Sequence, residues 1–315
     1  MKHNKDLDFI RALLIILMIL IHIVSFGNAY PLLKAGILSF MMPTFLIITG
    51  YLVNIEKDLQ HFAKYILCLA LPYVIMVSGF SILSYFLPVR DGITELSLSQ
   101  ICNKVFITSI GPYWFIQTMI VCGILYYACF RGCSMLYKSK NVSLTSRLFI
   151  LAILFILVSK TPILSVTAAT YYFIGVVIRQ CHIDFGKLFR PSPLAPFLWI
   201  PILLHEDRFG WEFIAVIFSC WCCISTMIWL RSINPSIKVE YTLLYIGRNT
   251  LPIYLFHPVF TMAAKFYHPV FSFDRTEILY AIITICTAII GSILMAKALE
   301  KTRLSYVFGK GKLLR

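Results

Sequence analysis

The first apolar segment of the chain carries two ionisable side chains eleven positions apart, Arg11 and His22. At about 100° per residue, eleven helical steps come to three turns plus about 20°, so both side chains project from one helix face. They stand about 16 Å apart along the axis. A guanidinium can hold an anion such as a phosphate. An imidazole, with an unperturbed pKa of about 6.5, can take a proton from a hydroxyl or attack an acyl carbon itself.

A second histidine, His257, lies about eight residues past Asn249, at a depth in its apolar segment close to that of His22. Pro258 has no backbone N–H, so the carbonyl of Tyr254 loses its helical partner and the helix is expected to bend beside His257. A bent, polar place in a membrane helix usually lines a cavity. Two histidines could therefore meet at one level. In the alternative, His257 only hydrogen-bonds to a neighbouring helix.

Other polar residues in the apolar segments are candidates for a substrate cavity, with a packing or topological alternative for each. The candidate cavity residues besides His257 are Thr49, Trp114, Gln117 and Tyr254. Thr49 with Gly50 also suits a packing face between helices, and Trp114 also suits an interfacial anchor. Lys57 and Lys64 predict an anion-binding mouth, or are ordinary topology charges. The remaining histidines are scattered in loops, so no metal site is expected.

The elements that position these residues follow from composition. Of 315 residues, 59% are hydrophobic and 13% are charged, against about 25% charged in soluble domains. This predicts an all-α, polytopic transmembrane bundle of about ten spans. The predicted spans are 9–27, 35–55, 65–87, 105–130, 148–159, 161–178, 191–204, 211–230, 249–264 and 278–296. We expect one membrane-embedded domain over 1–315, ending in a basic cytoplasmic tail at 297–315.

The basic residues are distributed unevenly between the two sides of these spans. With the N-terminus in the cytoplasm, 19 basic residues fall on the inner side and 7 on the outer side, with Arg11 and Arg248 near the inner boundary. This is the positive-inside pattern, and it predicts that both termini are cytoplasmic. The net charge of +14 is therefore a topology signal. A nucleic-acid partner is not expected, because the charge is spread over loops.

Four segments together resemble the acyltransferase 3 family of integral membrane acyltransferases, over nearly the whole chain. They are the Arg11-to-His22 spacing within Leu-Asp-Phe-Ile-Arg-Ala, the 45–52 segment, Trp114-Phe115-Ile116 and Tyr254-Leu255-Phe256-His257-Pro258. The resemblance implies transfer of an acyl group, most often acetyl, from cytoplasmic acyl-coenzyme A to a hydroxyl of a saccharide or surface polysaccharide precursor. It further implies a multi-pass protein of the bacterial inner membrane, with membrane lipid, acyl-coenzyme A and a glycan as partners and no permanently bound cofactor.

By position, the resemblance makes His22 the catalytic histidine and Arg11 its essential partner. Lys57 and Lys64 stand near where the family often has arginines, and lysine cannot form a bidentate phosphate clamp. Thr49 stands where serine is usual. Arg11, Lys57 and Lys64 would hold the phosphates of coenzyme A.

Several alternatives stay open at the level of sequence. His22 could act as a general base or accept the acyl group itself. A transporter or flippase for a glycan or lipid-linked sugar is the alternative function, and a scaffold without turnover is a third. The acceptor, the acyl chain and the oligomeric state are not determined by sequence.

Overall fold

The structure is a computed structural model that describes residues 4–87, 91–132, 143–233, 236–309 and 311–315. Over these ranges it is all-α, as predicted, and contains no strand. The basic residues Lys2, Arg90, Lys138, Lys140 and Lys310, which enter the charge count, lie outside the described residues. The α-helices are α1 (Lys5–His22), α2 (Val24–Ala29), α3 (Pro31–Leu52), α4 (Leu59–Phe86), α5 (Leu98–Asn103), α6 (Trp114–Tyr127), α7 (Leu144–Val158), α8 (Val166–Gln180), α9 (Phe185–Leu188), α10 (Ala195–Leu203), α11 (Ile214–Ser232), α12 (Ile237–Arg248), α13 (Thr250–Tyr267) and α14 (Ile278–Lys301).

The chain divides into two compact units. The first unit comprises Met1–Phe45, Asp184–Ser305 and Gly311–Arg315, and the second comprises Leu46–Ile183 and Tyr306–Lys310. The first unit thus holds α1, α2, the beginning of α3 and α9 to α14. The second holds the end of α3 and α4 to α8.

Helix α1 begins earlier and ends earlier than the predicted span 9–27. The side chain of Asn4 accepts hydrogen bonds from the backbone N–H of Asp6 (2.9 Å) and Leu7 (3.4 Å), so the helix starts at Lys5. It stops after His22 because Ile23 has an extended backbone, with φ −77° and ψ 103°. The chain resumes as α2 at Val24. The histidine therefore lies at a break between two helices.

Helix α1 packs against α11, α12, α13 and α14 within the first unit. Its fully buried side chains include Ile10 and Leu14. Helix α12 was not predicted as an element, because its polar residues hide it from a search for apolar runs. It approaches α1 so closely that a Cβ atom on Gly247 would lie 1.8 Å from the backbone oxygen of Asp8. Only glycine allows this contact.

Five helical stretches in the described ranges are long and apolar enough to cross a bilayer, which makes the chain a membrane protein. They are Pro31–Leu52, Leu59–Phe86, Gly111–Gly132, Ile214–Ser232 and Ile278–Lys301. Helix α1 is not among them because its first turns carry four charged residues. The number of crossings and the cytoplasmic placement of both termini stay predictions.

Two predicted spans differ from the observed helices. The span predicted at 105–130 begins instead at Gly111, because Ser109 and Gly111 adopt positive φ angles of 58° and 55° and Pro112 follows. The span predicted at 191–204 is only α10, whose nine residues extend about 14 Å, against a hydrocarbon core of about 30 Å. Helix α10 is therefore too short to cross the bilayer in a straight line.

The end of the chain folds back onto the first unit. The carboxylate of Glu300 accepts hydrogen bonds from the backbone N–H of Leu313 (2.5 Å) and Leu314 (2.7 Å). The side chain of Asn249 exchanges two hydrogen bonds with the backbone of Arg315, at 2.8 and 3.2 Å. The described last residues of the predicted tail are thus hydrogen-bonded to the ends of α12 and α14.

In the second unit, two glycines bring α3 and α8 into backbone contact. A Cβ atom on Gly50 would lie 2.1 Å from the carbonyl oxygen of Tyr172, and one on Gly175 would lie 2.0 Å from that of Ile47. The packing interpretation of the Thr49-Gly50 pair is therefore confirmed for Gly50.

We expect Gly247→Ala to lower the thermal unfolding midpoint of the detergent-solubilised protein. The added methyl group overlaps the Asp8 carbonyl, and relieving such overpacking costs about 1–3 kcal/mol. The matched control is Gly79→Ala in α4, where a Cβ would meet nothing within 4 Å. An unchanged midpoint for Gly247→Ala would contradict the close packing of α12 on α1.

Candidate functional site

The two histidines expected at one level meet in the first unit. The ring centroids of His22 and His257 lie 5.2 Å apart with an interplanar angle of 74°, an edge-to-face arrangement. His22 is half-buried and His257 is fully buried. The two rings therefore meet, as the sequence predicted, and their depth in a bilayer stays a prediction.

The backbone of α1 determines which nitrogen of His22 carries the proton. Nδ1 lies 2.6 Å from the carbonyl oxygen of Met18, one helical turn earlier. A carbonyl only accepts hydrogen bonds, so Nδ1 must donate and carries hydrogen. In the neutral ring, Nε2 then keeps its lone pair. His22 thus presents a basic, nucleophilic nitrogen at the point where α1 ends.

The proline after His257 produces the matching arrangement in α13. Because Pro258 has no N–H, the carbonyl of Tyr254 needs another donor, and Nδ1 of His257 lies 2.8 Å from it. Its Nε2 is buried and has no hydrogen-bond partner among the described residues. The ring of Tyr254, itself buried, has its centroid 5.9 Å from that of His257. Two imidazoles whose Nδ1 atoms each donate to a backbone carbonyl therefore lie side by side.

Arg11, three turns before His22 in α1, is held by polar partners. Its guanidinium donates to the hydroxyl of Thr250 at the start of α13 and lies 3.8 Å from the carboxylate of Asp8. The other oxygen of Asp8 lies 3.4 Å from Nε of Arg248. The Asp8 side chain is only 5% exposed, whereas those of Arg11 and Arg248 are 26% and 34% exposed. The carboxylate thus bridges two partly exposed cations.

Sequence reasoning missed Asp8, because the predicted span 9–27 begins one residue after it. The observed helix includes Asp8, one turn before Arg11. The spacing of three residues between the two was the available signal, since residues so spaced share a helix face. Arg248 and Thr250 could not be found in this way, because they lie about 240 residues further along the chain.

In the first unit, residues between 27 and 38, shortly after His22 in the sequence, line an open pocket. Its volume is about 550 Å³, and its polar lining residues are Asn28 and Lys34. Lys34 lies close enough to His22 for an electrostatic interaction between them. Charge counting placed Lys34 on the outer side. Neither residue was singled out from the sequence.

The other predicted site residues belong to the second unit. Lys57 lies just before α4 and Lys64 in its second turn, and both are exposed. Trp114 is half-buried at the start of α6. Gln117 is buried and donates from Nε2 to the backbone oxygen of Ile107 at 3.1 Å. Thr49 is partly buried beside the glycine contact of α3. Their roles toward a substrate stay predictions.

Ionisable side chains gathered in a helical membrane fold are usually functional, and an imidazole can move a proton or an acyl group. The family model Acyl_transf_3, described as an acyltransferase domain, matches residues 4–297. The chain belongs to this family, which confirms the predicted membership, and is a membrane acyltransferase. Searches of curated proteins and of solved structures found no match. Family membership sets aside the alternatives of a transporter or scaffold without turnover.

We expect Asp8→Asn to lower the thermal unfolding midpoint, because it leaves Arg11 and Arg248 without their shared carboxylate. Breaking a buried pair costs about 3–5 kcal/mol, and the partial exposure of both arginines reduces this to about 1–3 kcal/mol. Asp207→Asn, at an exposed position, is the control. Equal midpoints for the two variants would show that the bridge is energetically unimportant.

Proposed function

We propose that this acyltransferase moves an acyl group from cytoplasmic acyl-coenzyme A to a hydroxyl of a saccharide or lipid-linked glycan. The proposed acyl group is acetyl. The proposed location is a bacterial inner membrane. The observation that carries the proposal is His22, whose Nδ1 is bound to the Met18 carbonyl so that Nε2 is available as a base or nucleophile. His22 also lies beside His257, and Lys34, which lines an open pocket, interacts electrostatically with His22.

In the first route, His22 acts as a general base. Nε2 takes the proton of the acceptor hydroxyl while its oxygen attacks the thioester carbonyl carbon. The new C–O bond forms, the C–S bond breaks, and the departing sulfur of coenzyme A receives the proton from the imidazolium. His257 would keep the His22 ring oriented edge-on through the observed ring contact. No further reactant is needed.

In the second route, His22 accepts the acyl group itself. Nε2 attacks the thioester carbonyl carbon, an N–C bond replaces the C–S bond, and coenzyme A leaves as a thiolate while His22, still protonated at Nδ1, carries the acyl group as an acyl-imidazolium. The saccharide hydroxyl then attacks the acyl carbon, the N–C bond breaks, His22 returns to its neutral form, and the hydroxyl proton passes through a base to the coenzyme A thiolate. Nε2 of His257 is the proposed acceptor of that proton. It is buried and has no hydrogen-bond partner in the described structure.

The charged residues are proposed to bind the two substrates. Arg11 is proposed to attract the anionic donor from its partly exposed position, and Lys57 and Lys64 to assist as solvent-facing cations. Asn28 and Lys34 are proposed to bind acceptor hydroxyls in the open pocket. Thr49, Trp114, Gln117 and Tyr254 stay proposed cavity residues.

We expect His22→Ala to abolish acyl transfer, because the proposed base or nucleophile at the end of α1 is removed. The assay measures thiol released from acetyl-coenzyme A in the presence of a purified glycan acceptor. His205→Ala, at an exposed position, serves as the control, and both variants should insert and unfold at the wild-type midpoint. Full activity of His22→Ala would disprove the assignment.

A labelling experiment on the wild-type protein separates the two routes. With radiolabelled acetyl-coenzyme A and no acceptor, an acyl-histidine route leaves label on the wild-type protein that hydroxylamine removes, and a general-base route leaves none. Mass analysis of surface glycans from cells with and without the protein would then identify the acceptor by one missing acyl increment.

A further inference from the structure

The second unit contains a cavity that the proposed mechanism does not use. Its volume is about 220 Å³, and three arginines line it, Arg131, Arg147 and Arg179. They come from the stretch after α6, the first turns of α7 and the last turn of α8. None was singled out from the sequence beyond the charge count.

Two of the arginines are held in place by their surroundings. Nε of Arg131 donates to the carbonyl oxygen of Ile55 at 3.1 Å, and its Nη2 donates to that of Glu56. The guanidinium of Arg179 lies 5.9 Å from the ring centroid of Tyr51, a cation–π contact. Because these contacts fix the planar groups, an anion would not have to order two long side chains on binding.

The third arginine occupies an unusual position in its helix. Arg147 lies in the first turns of α7, after the N-cap Ser143. A helix N-terminus carries partial positive charge, so a cation there is disfavoured unless an anion is also present. Nε of Arg147 is buried and has no hydrogen-bond partner in the described part of the chain. An unsatisfied cationic donor at a helix N-terminus points to a missing anion.

The rest of the lining supports the same conclusion. Asn54 and Gln180 add polar groups, and the single acidic lining residue is Glu56, which is exposed. Three cations and one carboxylate leave two net positive charges. Pockets that bind a whole small molecule usually have volumes of about 300–1,000 Å³, and this cavity is smaller. The cavity therefore suits one or two phosphate groups rather than an entire nucleotide.

We propose that this cavity is a phosphate-binding site, with Arg131, Arg147 and Arg179 as its donors. The positive-inside count assigns all three to the cytoplasmic side. Two phosphate sources reach that side, the nucleotide end of coenzyme A and the headgroup of an anionic lipid. The first source rests on the proposed function and the second does not.

The test uses the full-length protein in phosphatidylcholine nanodiscs, with or without phosphatidic acid. Dissociation constants are measured for coenzyme A and for dephospho-coenzyme A, which lacks the 3′-phosphate. Retained phosphatidic acid is measured by native mass spectrometry. Arg147→Gln and Arg179→Gln are compared with Arg147→Lys, which keeps the charge, and with Arg190→Gln, an exposed arginine outside the cavity.

If coenzyme A is the source, Arg147→Gln and Arg179→Gln each weaken its binding about tenfold or more, as expected for loss of a charge-assisted hydrogen bond. They also reduce the preference over dephospho-coenzyme A. Arg147→Lys has a smaller effect, and Arg190→Gln has none. If lipid is the source, the two glutamine variants retain less phosphatidic acid, and their affinity for coenzyme A is unchanged.

The proposal is overturned if both glutamine variants, with wild-type unfolding midpoints, match the wild type in both measurements. Failure of the proposed function has a different signature. In that case the wild type releases no thiol from acetyl-coenzyme A. Arginine-dependent binding of coenzyme A or retention of phosphatidic acid, measured directly, would still be observed.

Discussion

A polar group buried in a protein must find its partners within the protein, because apolar side chains offer none. In the first unit this constraint acts at Asp8, a nearly buried carboxylate that lies between Arg11 and Arg248. The close approach at Gly247 brings α12 against the same turn of α1. Since α1 is continuous from Lys5 to His22, fixing its first turns also fixes the place where the catalytic candidate stands.

The same constraint explains how the histidine pair is held. Each ring donates from Nδ1 to a backbone carbonyl of its own helix, Met18 for His22 and Tyr254 for His257. The second carbonyl is available because Pro258 removes its normal donor. Local features of the backbone, a helix end and a proline, thereby set both tautomers and leave two basic nitrogens at one place.

The second unit meets the constraint in a different way. Gly50 and Gly175 let α3 and α8 approach until backbone atoms are in contact, a common solution in membrane bundles. Arg131 satisfies two exposed carbonyls that follow α3. Arg147 has no such protein partner for its Nε in the described residues. The backbone thus holds Arg131 in place, whereas Nε of Arg147 is available to the proposed phosphate.

Much of this protein follows from sequence alone, because some properties depend only on neighbours along the chain. Composition determined the all-α membrane class, periodicity placed Arg11 and His22 on one helix face, and Pro258 released the carbonyl beside His257. Helix ends were harder to place, since Asn4 and Ile23 act through backbone geometry that apolar runs do not reveal. Only the tertiary structure decided the contact between the histidines, the Asp8–Arg248 bridge and the arginine cavity. Their members lie on separate helices, and no local rule determines how such helices pack.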